Sequence, residues 1–528
     1  MTFTLTVTLL FGVLCLYIVK SYFVSKNGKG APLPPGPKGK PLIGNLLDLP
    51  QQGEMESLHW LRHKDLYGPI SSVTVMGQTL IILNKARLAF ELLEKRSSKH
   101  SSRAQMEFAG KLVGWEHAIG AIGYNDTFRL HRKQVATILG STAATAKWNS
   151  LQETAVGHML LRVLKKPECW LDHVKTEAGA VILKIAYGYI VDPHKPDPLV
   201  LLAGETMEDF GQAAVPGVWM VDMMPFLKYL PDWFPLAGFK RTAKKWRANL
   251  MDLKERPAAF VKHQMAQGKH EPSYLSQLVG SGDWSDEQTS VKKWGAASLY
   301  AAGADTTVSS IATFFLAMTV YPEIQQKAQE EIDRVLGSGR LPSFSDRKQL
   351  PYIDAIVKEI LRWHPVAPMG LPHETSEEDI CEGYLIPKGA ILLPNIWAYA
   401  HDPSVYHDPF TFKPERFLSR EGYTAEPDPH KIAFGFGRRI CPGRLLADAS
   451  LFLNAAQILA VYKISKVIEN GVEAEPVAQM LPGVVSHPAP FKTSIKPRSD
   501  AHEALISSLE ETYPWPKSDA ETLKNIKY

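Results

Sequence analysis

Cys441 stands in Phe434-Gly435-Phe436-Gly437-Arg438-Arg439-Ile440-Cys441-Pro442-Gly443, where three glycines within nine residues free the backbone around a single thiol. Pro442 suits the first turn of a helix, and Arg444-Leu445-Leu446-Ala447 continues it. A thiol at a helix start is pushed toward thiolate by unpaired N–H groups and the helix dipole. Glycine lets those N–H groups, and a flat macrocycle, come close to the sulfur. The chemistry this spacing suits is a haem-thiolate ligand; the alternative is a buried structural cysteine in a glycine-rich turn. Cys15, Cys169 and Cys381 have no such loop. Four widely spaced cysteines make no disulfide framework and fit a reducing compartment.

A second group lies in Val291–Val320, a proline-free run stopped by Tyr321-Pro322. Inside it is Ala302-Gly303-Ala304-Asp305-Thr306-Thr307. Gly303 weakens a helix by roughly 1 kcal/mol against alanine, and Thr306 can bond back to the carbonyl at i−4. Together they predict a groove in mid-helix. Asp305 and Thr306 face about 100° apart on a helix, so Thr306 can line the groove while Asp305 points toward water. A hydroxyl backed by a remote acid makes a proton relay; the plainer alternative is a buried helix with a solvated aspartate. Glu359 and Arg362, at i and i+3 in the predicted helix Pro351–Trp363, share a face. Such a pair is usually exposed and worth a few tenths of a kcal/mol.

Taken together these segments resemble the cytochrome P450 family. Phe434, Gly437, Arg439, Cys441 and Gly443 fill the pattern FxxGxRxCxG, and Ala302–Thr307 fills [AG]GxDT[TS]. Glu359 and Arg362 match ExxR, and Pro414-Glu415-Arg416-Phe417 matches the PERF segment. Phe128–Arg132 matches WxxxR with phenylalanine for tryptophan, losing an indole donor. The resemblance covers about residues 32–498. It implies a mainly α fold with small β-sheets, and haem b held by the Cys441 thiolate, the axial ligand general to the family. It gives Phe434, Gly437 and Gly443 to the haem-binding loop, and Arg132, His373 and Arg439 to the propionates. It gives Thr306 to dioxygen protonation and Asp305 to proton supply. Glu359, Arg362 and Arg416 would form a buried ion network behind the cysteine loop.

The implied activity is that of a monooxygenase inserting one atom of O2 into an apolar small organic substrate. Electrons would come from NADPH through NADPH–cytochrome P450 reductase, since the chain has no flavin or nicotinamide motif. Pro387-Lys388-Gly389, Asn395-Ile396-Trp397-Ala398 and Ser486-His487-Pro488 are most similar to fungal secondary-metabolite members, such as tryptamine hydroxylases and the O-methylsterigmatocystin oxidoreductase group. A haem-thiolate isomerase or dehydratase is a second reading, against which the Asp305–Thr306 pair speaks. A haem sensor or carrier with a second axial protein ligand is a third. No histidine or cysteine between Lys293 and Val320 could supply one from that helix.

Other elements must position these groups. Thr2–Val19 carries no charge, about the length of a spanning helix. It lacks a basic n-region and a small-x-small cleavage site, so residues 1–24 read as an uncleaved anchor. Lys20, Lys26, Lys29, Lys38 and Lys40 follow with no acid before Asp48. That places the body in the cytosol, with the anchor in the endoplasmic reticulum membrane and in contact with its lipid. Residues 25–41 are a proline-rich, stiff spacer, 42–498 the catalytic domain, and 499–528 a surface tail. Net charge is +4, from 59 basic and 55 acidic side chains, too balanced for nucleic acid.

Ile70–Leu83 reads as a hairpin, and helices are predicted at Ala86–Lys95, Leu151–Leu164, Thr176–Ile190, Ala243–Gln264 and 445–462. Pro257 should kink or split one of them. The resemblance puts substrate recognition in 104–124, 204–236, 294–307, 365–371 and 483–487. The stretch 216–234, rich in Trp, Phe and Met, would be core or a membrane-facing lid.

Overall fold

The computed structural model describes residues 30–528 except 52, 216, 281–283 and 285. The expected anchor, residues 1–24, lies outside the described residues. The architecture is mainly helical with small sheets. Its axis is the 34-residue helix Glu287–Val320, capped by Asp286, whose side chain accepts the Gln288 N–H at 3.2 Å. Pro322 lacks the N–H to continue it, and the next helix, Pro322–Leu336, turns away by 104°.

Two apolar cores flank this axis. Ile311, Phe314 and Phe315 pack with Ile353, Ile356 and Ile360 of Pro351–Trp363 and with Leu453 and Ile458 of Arg444–Val461. The N-terminal half, through Trp294 and Tyr300, packs with Phe108, Leu183, Tyr187 and Leu250. Gly303 serves the close crossing with Trp170–Tyr187: a Cβ there would stand 2.7 Å from Ile182 Cγ1. Its glycine is therefore required by helix approach, beyond any local weakening.

The hairpin Ile70–Val75/Gln78–Leu83 closes through Met76 and Gly77 at φ 48° and 92°, a two-residue turn of the kind that matches strand twist. Ile391–Pro394 pairs parallel to its second strand, and His373–Glu374 antiparallel to Ile391–Pro394. This four-stranded sheet fixes the backbone of His373.

Gly238–Ala266 runs as one helix with Pro257 inside, so of a kink and a split the split is excluded. The proline-rich segment is extended, and Pro34 O and Pro35 O accept bonds from Ser72 at 2.6 and 2.9 Å. One expectation changes. Residues 499–528 are not a loose surface tail. Helix Asp500–Thr512 buries Ile506 and Leu509, and Ala520–Lys524 buries Leu523. Between them Trp515 stacks on His158 at 4.2 Å, and Asp519 accepts the Ile190 N–H at 2.9 Å. Sparse apolar residues among acids and lysines hid this docking from the sequence pattern.

Candidate active site

The cysteine loop is set by two elements that only a particular sequence allows to meet. Phe90–Lys95 ends its helix in a π-helical segment, and Gly437 packs directly on Leu93 O, where any Cβ would collide. Gly437 also has φ 53°, and Gly435 φ 77°. Phe436 is buried edge-on to Phe90 at 5.3 Å. The loop closes when the Cys441 N–H donates to Phe434 O at 2.8 Å. The helix Arg444–Val461 then begins after Gly443, where a Cβ would meet no protein atom.

Burial outweighs the N–H groups at the helix start, which lower the thiol as expected. Surrounding protein raises Cys441 above its ordinary value, and the N–H groups of Gly443 and Arg444 oppose this without overcoming it. A bound metal cation would supply the counter-charge for a thiolate at this position.

Positive charge gathers beside the loop. Arg439 is buried and donates to Ser101 O at 2.6 Å and Ile122 O at 2.8 Å, with its guanidinium 3.7 Å from the centre of the Phe128 ring. Phe128, in place of tryptophan, thus offers a ring face where a donor was expected. Arg132 donates to Ile440 O at 2.7 Å. Arg103, which no motif marks, is buried and donates to Gly120 O at 3.0 Å and to Leu371 O and Pro372 O at 2.7 Å. His373 is buried with Nδ1 donating to His100 O at 2.7 Å.

Burial, then Arg132, lowers Arg439 to about 10; burial, then Arg439, takes Arg103 well down. Among the described residues none of the three arginines meets a carboxylate. Buried cations without anions are costly, so this cluster fits a ligand that brings its own carboxylates. The two propionates of haem are such groups, and the donor set fits them.

On the central helix, residues Ala302–Thr307 are the stretch left open, while Trp294–Ala297 and Val308–Thr319 on either side are buried. Thr306 Oγ1 donates to Ala302 O at 2.7 Å. Asp305 does not simply face water. Its Oδ1 lies 3.1 Å from His487 Nε2, a partner no sequence motif signalled.

Behind the loop, Glu359 takes Arg362 through both oxygens at 2.7 Å and Arg416 Nε at 3.1 Å, all fully buried. Arg362 also donates to Ala400 O and Pro409 O, and Arg416 to His407 O and Asp408 O. Glu426, absent from the sequence reading, accepts from Arg416 at 2.8 Å and makes the cluster neutral. A second clamp joins the loop's two ends: His430 contacts Asp428 at 2.6 Å and Asp448 at 3.0 Å, and Asp448 meets Arg347 at 2.6 Å. Burial disfavours the His430 cation, but the two carboxylates win and raise it to about 9.

Of the recognition segments, 104–124 and 204–236 are joined. Phe108 stacks on Trp219 at 3.5 Å, and Trp246 closes edge-on at 5.7 Å. Nearby, Phe226, Tyr229, Trp233 and Leu236 are exposed.

The Cytochrome P450 family profile matches residues 34–495. The chain is 48% identical to the cytochrome P450 monooxygenase ppsD of Aspergillus oryzae, over 94% of each chain. It is 47% identical to the cytochrome P450 monooxygenase claR of Ampulloclitocybe clavipes, over 97% of this chain and 94% of that one. Identity to the O-methylsterigmatocystin oxidoreductase of Aspergillus flavus is 42%, over 96% and 95%.

Proposed function

The chain belongs to the cytochrome P450 family, whose members here are monooxygenases, and we propose that it oxidises an apolar small molecule in fungal secondary metabolism. One oxygen atom of O2 enters the substrate, and electrons come from NADPH through a separate NADPH–cytochrome P450 reductase. The observation that carries the reading is the trio Arg103, Arg132 and Arg439 beside the cysteine loop, the first and last buried, Arg132 half-buried, and none meeting a carboxylate among the described residues.

Haem b, when bound, supplies the oxygen-activating redox chemistry. Cys441 offers the sulfur for its iron, and Arg103, Arg132, Arg439 and His373 receive the propionates. Phe434, Gly437 and Gly443 shape the loop around the sulfur. Glu359, Arg362 and Arg416 hold the chain that leads into it. Thr306 must turn from Ala302 O to deliver its hydroxyl hydrogen into the open stretch of the helix. Asp305 is the acid that can replace that proton.

The substrate is read by an apolar wall. Val366, Ala367, Met369, Val484 and Val485 contribute no charge to the segments that would face it. The exposed Phe226, Tyr229, Trp233 and Leu236 suit the interface of a membrane. With the uncharged run Thr2–Val19 this supports a single-pass protein of the endoplasmic reticulum, catalytic domain in the cytosol. The relatives' names support the pathway class: one oxidises O-methylsterigmatocystin.

The test is the carbon monoxide difference spectrum of the reduced protein. The band that gives the family its name is expected for the wild type and lost in Cys441→Ala; its absence from the wild type overturns the reading. Comparing metabolites of a deletion strain with its parent should then show one accumulated apolar precursor. A matched pair with no difference would remove the biosynthetic role.

A further inference from the structure

Asp305 is met by a residue from the far end of the chain. His487 Nε2 lies 3.1 Å from Asp305 Oδ1. The imidazole is held there by a fixed backbone. Ser486 is fully buried, and its carbonyl accepts the Ser309 hydroxyl at 2.6 Å and lies 3.1 Å from His364 Nε2. The Ser486 N–H donates to Val366 O at 2.8 Å, and His487 O accepts the Leu481 N–H at 2.7 Å. Ser309 is one helical turn beyond Asp305, so one helix both carries the carboxylate and anchors the segment that brings its partner.

Three further observations give the pair a direction. The side chains of His487 and Asp305 keep 30% and 22% of their surface in contact with solvent, at the edge of a largely buried helix. Among the described residues no protein group bonds His487 Nδ1, which leaves that nitrogen for water. His364, the other imidazole on Ser486 O, is held down at about 4 by burial, so it adds no competing charge. An acid that gives up a proton in each turnover must be refilled, and an imidazole with one nitrogen on the carboxylate and one on water can do so.

We propose that His487 relays protons from water to Asp305, acting as a positioning residue for proton delivery to the oxygen side of the site. The inference rests on reading Asp305 and Thr306 as that side. In the step, Nδ1 takes a proton from water as Nε2 gives one to Asp305 Oδ1. The hydroxide left behind is neutralised by solvent buffer, the imidazole returns to its first tautomer by exchange with water, and no electron moves.

The full-length protein with its reductase, given NADPH and no organic substrate, reports this directly. Reducing equivalents then leave as hydrogen peroxide or as water, and late protons favour peroxide. His487→Gln keeps a hydrogen-bond donor near Asp305 but cannot relay a proton. Its peroxide share is expected to rise several-fold, with a changed solvent deuterium isotope effect on NADPH consumption. The double variant with Asp305→Asn should be no worse than Asp305→Asn alone. Wild-type partition and isotope effect in His487→Gln, or additive effects in the double variant, overturn the relay. The carbon monoxide band is read in every variant. Its loss in His487→Gln alone makes the residue structural and also overturns the relay, whereas its absence from the wild type overturns the underlying function instead.

Discussion

Asp222 accepts the backbone N–H of Phe108 at 2.8 Å across 114 residues of chain. The Phe108–Trp219 stack and the Lys228–Glu107 pair at 3.0 Å fasten the same two segments. Burial, opposed by the N–H groups of Phe108 and Glu107, raises the Asp222 carboxyl to about 6. This value is above that of an unfolded aspartate, about 3.9, so the closed arrangement prefers the protonated acid. Its contribution is complete below about pH 4 and is lost as pH rises through about 6.

Asp222→Asn keeps an acceptor oxygen and removes the charge. At neutral pH the variant should close more tightly, and its closure should no longer vary between acid and neutral pH. Protease cleavage in 219–229 at several pH values measures this. Faster cleavage of the variant at neutral pH would show that the ionised acid is the one required.

Glu359 is the shared anion of two buried guanidinium groups. Glu359→Ala leaves Arg416 with Glu426 and removes the carboxylate that Arg362 pairs with, and breaking a buried network of this kind costs about 3–5 kcal/mol. Because the arginines also hold the carbonyls of residues 400–411, the loss should appear as reduced haem per protein chain. A stable, fully haem-loaded variant would contradict the supporting role.

Arg103 allows a test with opposite signs. Removing one of several unpaired buried cations relieves the haem-free protein, so Arg103→Met should raise its thermal midpoint. In the haem-loaded protein the same change removes a propionate partner, and haem should transfer faster to a competing acceptor such as apomyoglobin. Midpoint and transfer rate moving in the same protective direction would remove Arg103 from the propionate set.

Legibility in the sequence followed the range of each interaction. Helix Pro351–Trp363 was bounded by its two prolines, and the Thr306 bond to Ala302 by a four-residue spacing. Cys441, Glu359 and Arg416 carried motifs. Arg103 and Glu426 did not, and the segment holding His487 marked a subfamily without giving the histidine a partner: those of Arg103 and His487 lie far along the chain, and a lone charged residue in a loop, such as Glu426, reads as solvated. The net upward shift of the Cys441 thiol has the same origin: the lowering by the helix start is local, whereas the burial that outweighs it depends on the whole fold. In the C-terminal segment the buried positions of Asp500–Thr512, His502, Ile506 and Leu509, do share one helix face, but three positions among acids and serines make too short a stripe to announce a docked helix, and Leu523 lies in a separate short one.

His430 gives the alkaline side of the stability curve. Its folded value of about 9 stands above the unfolded one, about 6.5. Its contribution is therefore complete below about pH 6.5 and is lost as pH rises through about 9. The shift corresponds to at most about 3 kcal/mol. His430→Gln should lower the thermal midpoint near neutrality and flatten its fall between about pH 7 and about pH 10. An equally steep fall in the variant would assign the alkaline limb to other groups.

Gly157 and Tyr513 decide whether the C-terminal segment is part of the folded core. A Cβ on Gly157 would stand 2.7 Å from the Tyr513 ring, and His158, the next residue, bonds Tyr513 O at 2.9 Å. Gly157 lies inside the helix Asn149–Lys165, where alanine would ordinarily stabilise by about 1 kcal/mol. In the native chain the clash should outweigh that gain, since overpacking costs about 1–3 kcal/mol. With Tyr513→Ala in place the obstruction is gone, and the same Gly157→Ala change should become stabilising. Thermal unfolding of the four proteins in this cycle reads the reversal of sign. If Gly157→Ala stabilises both backgrounds equally, the segment does not rest on this helix in solution.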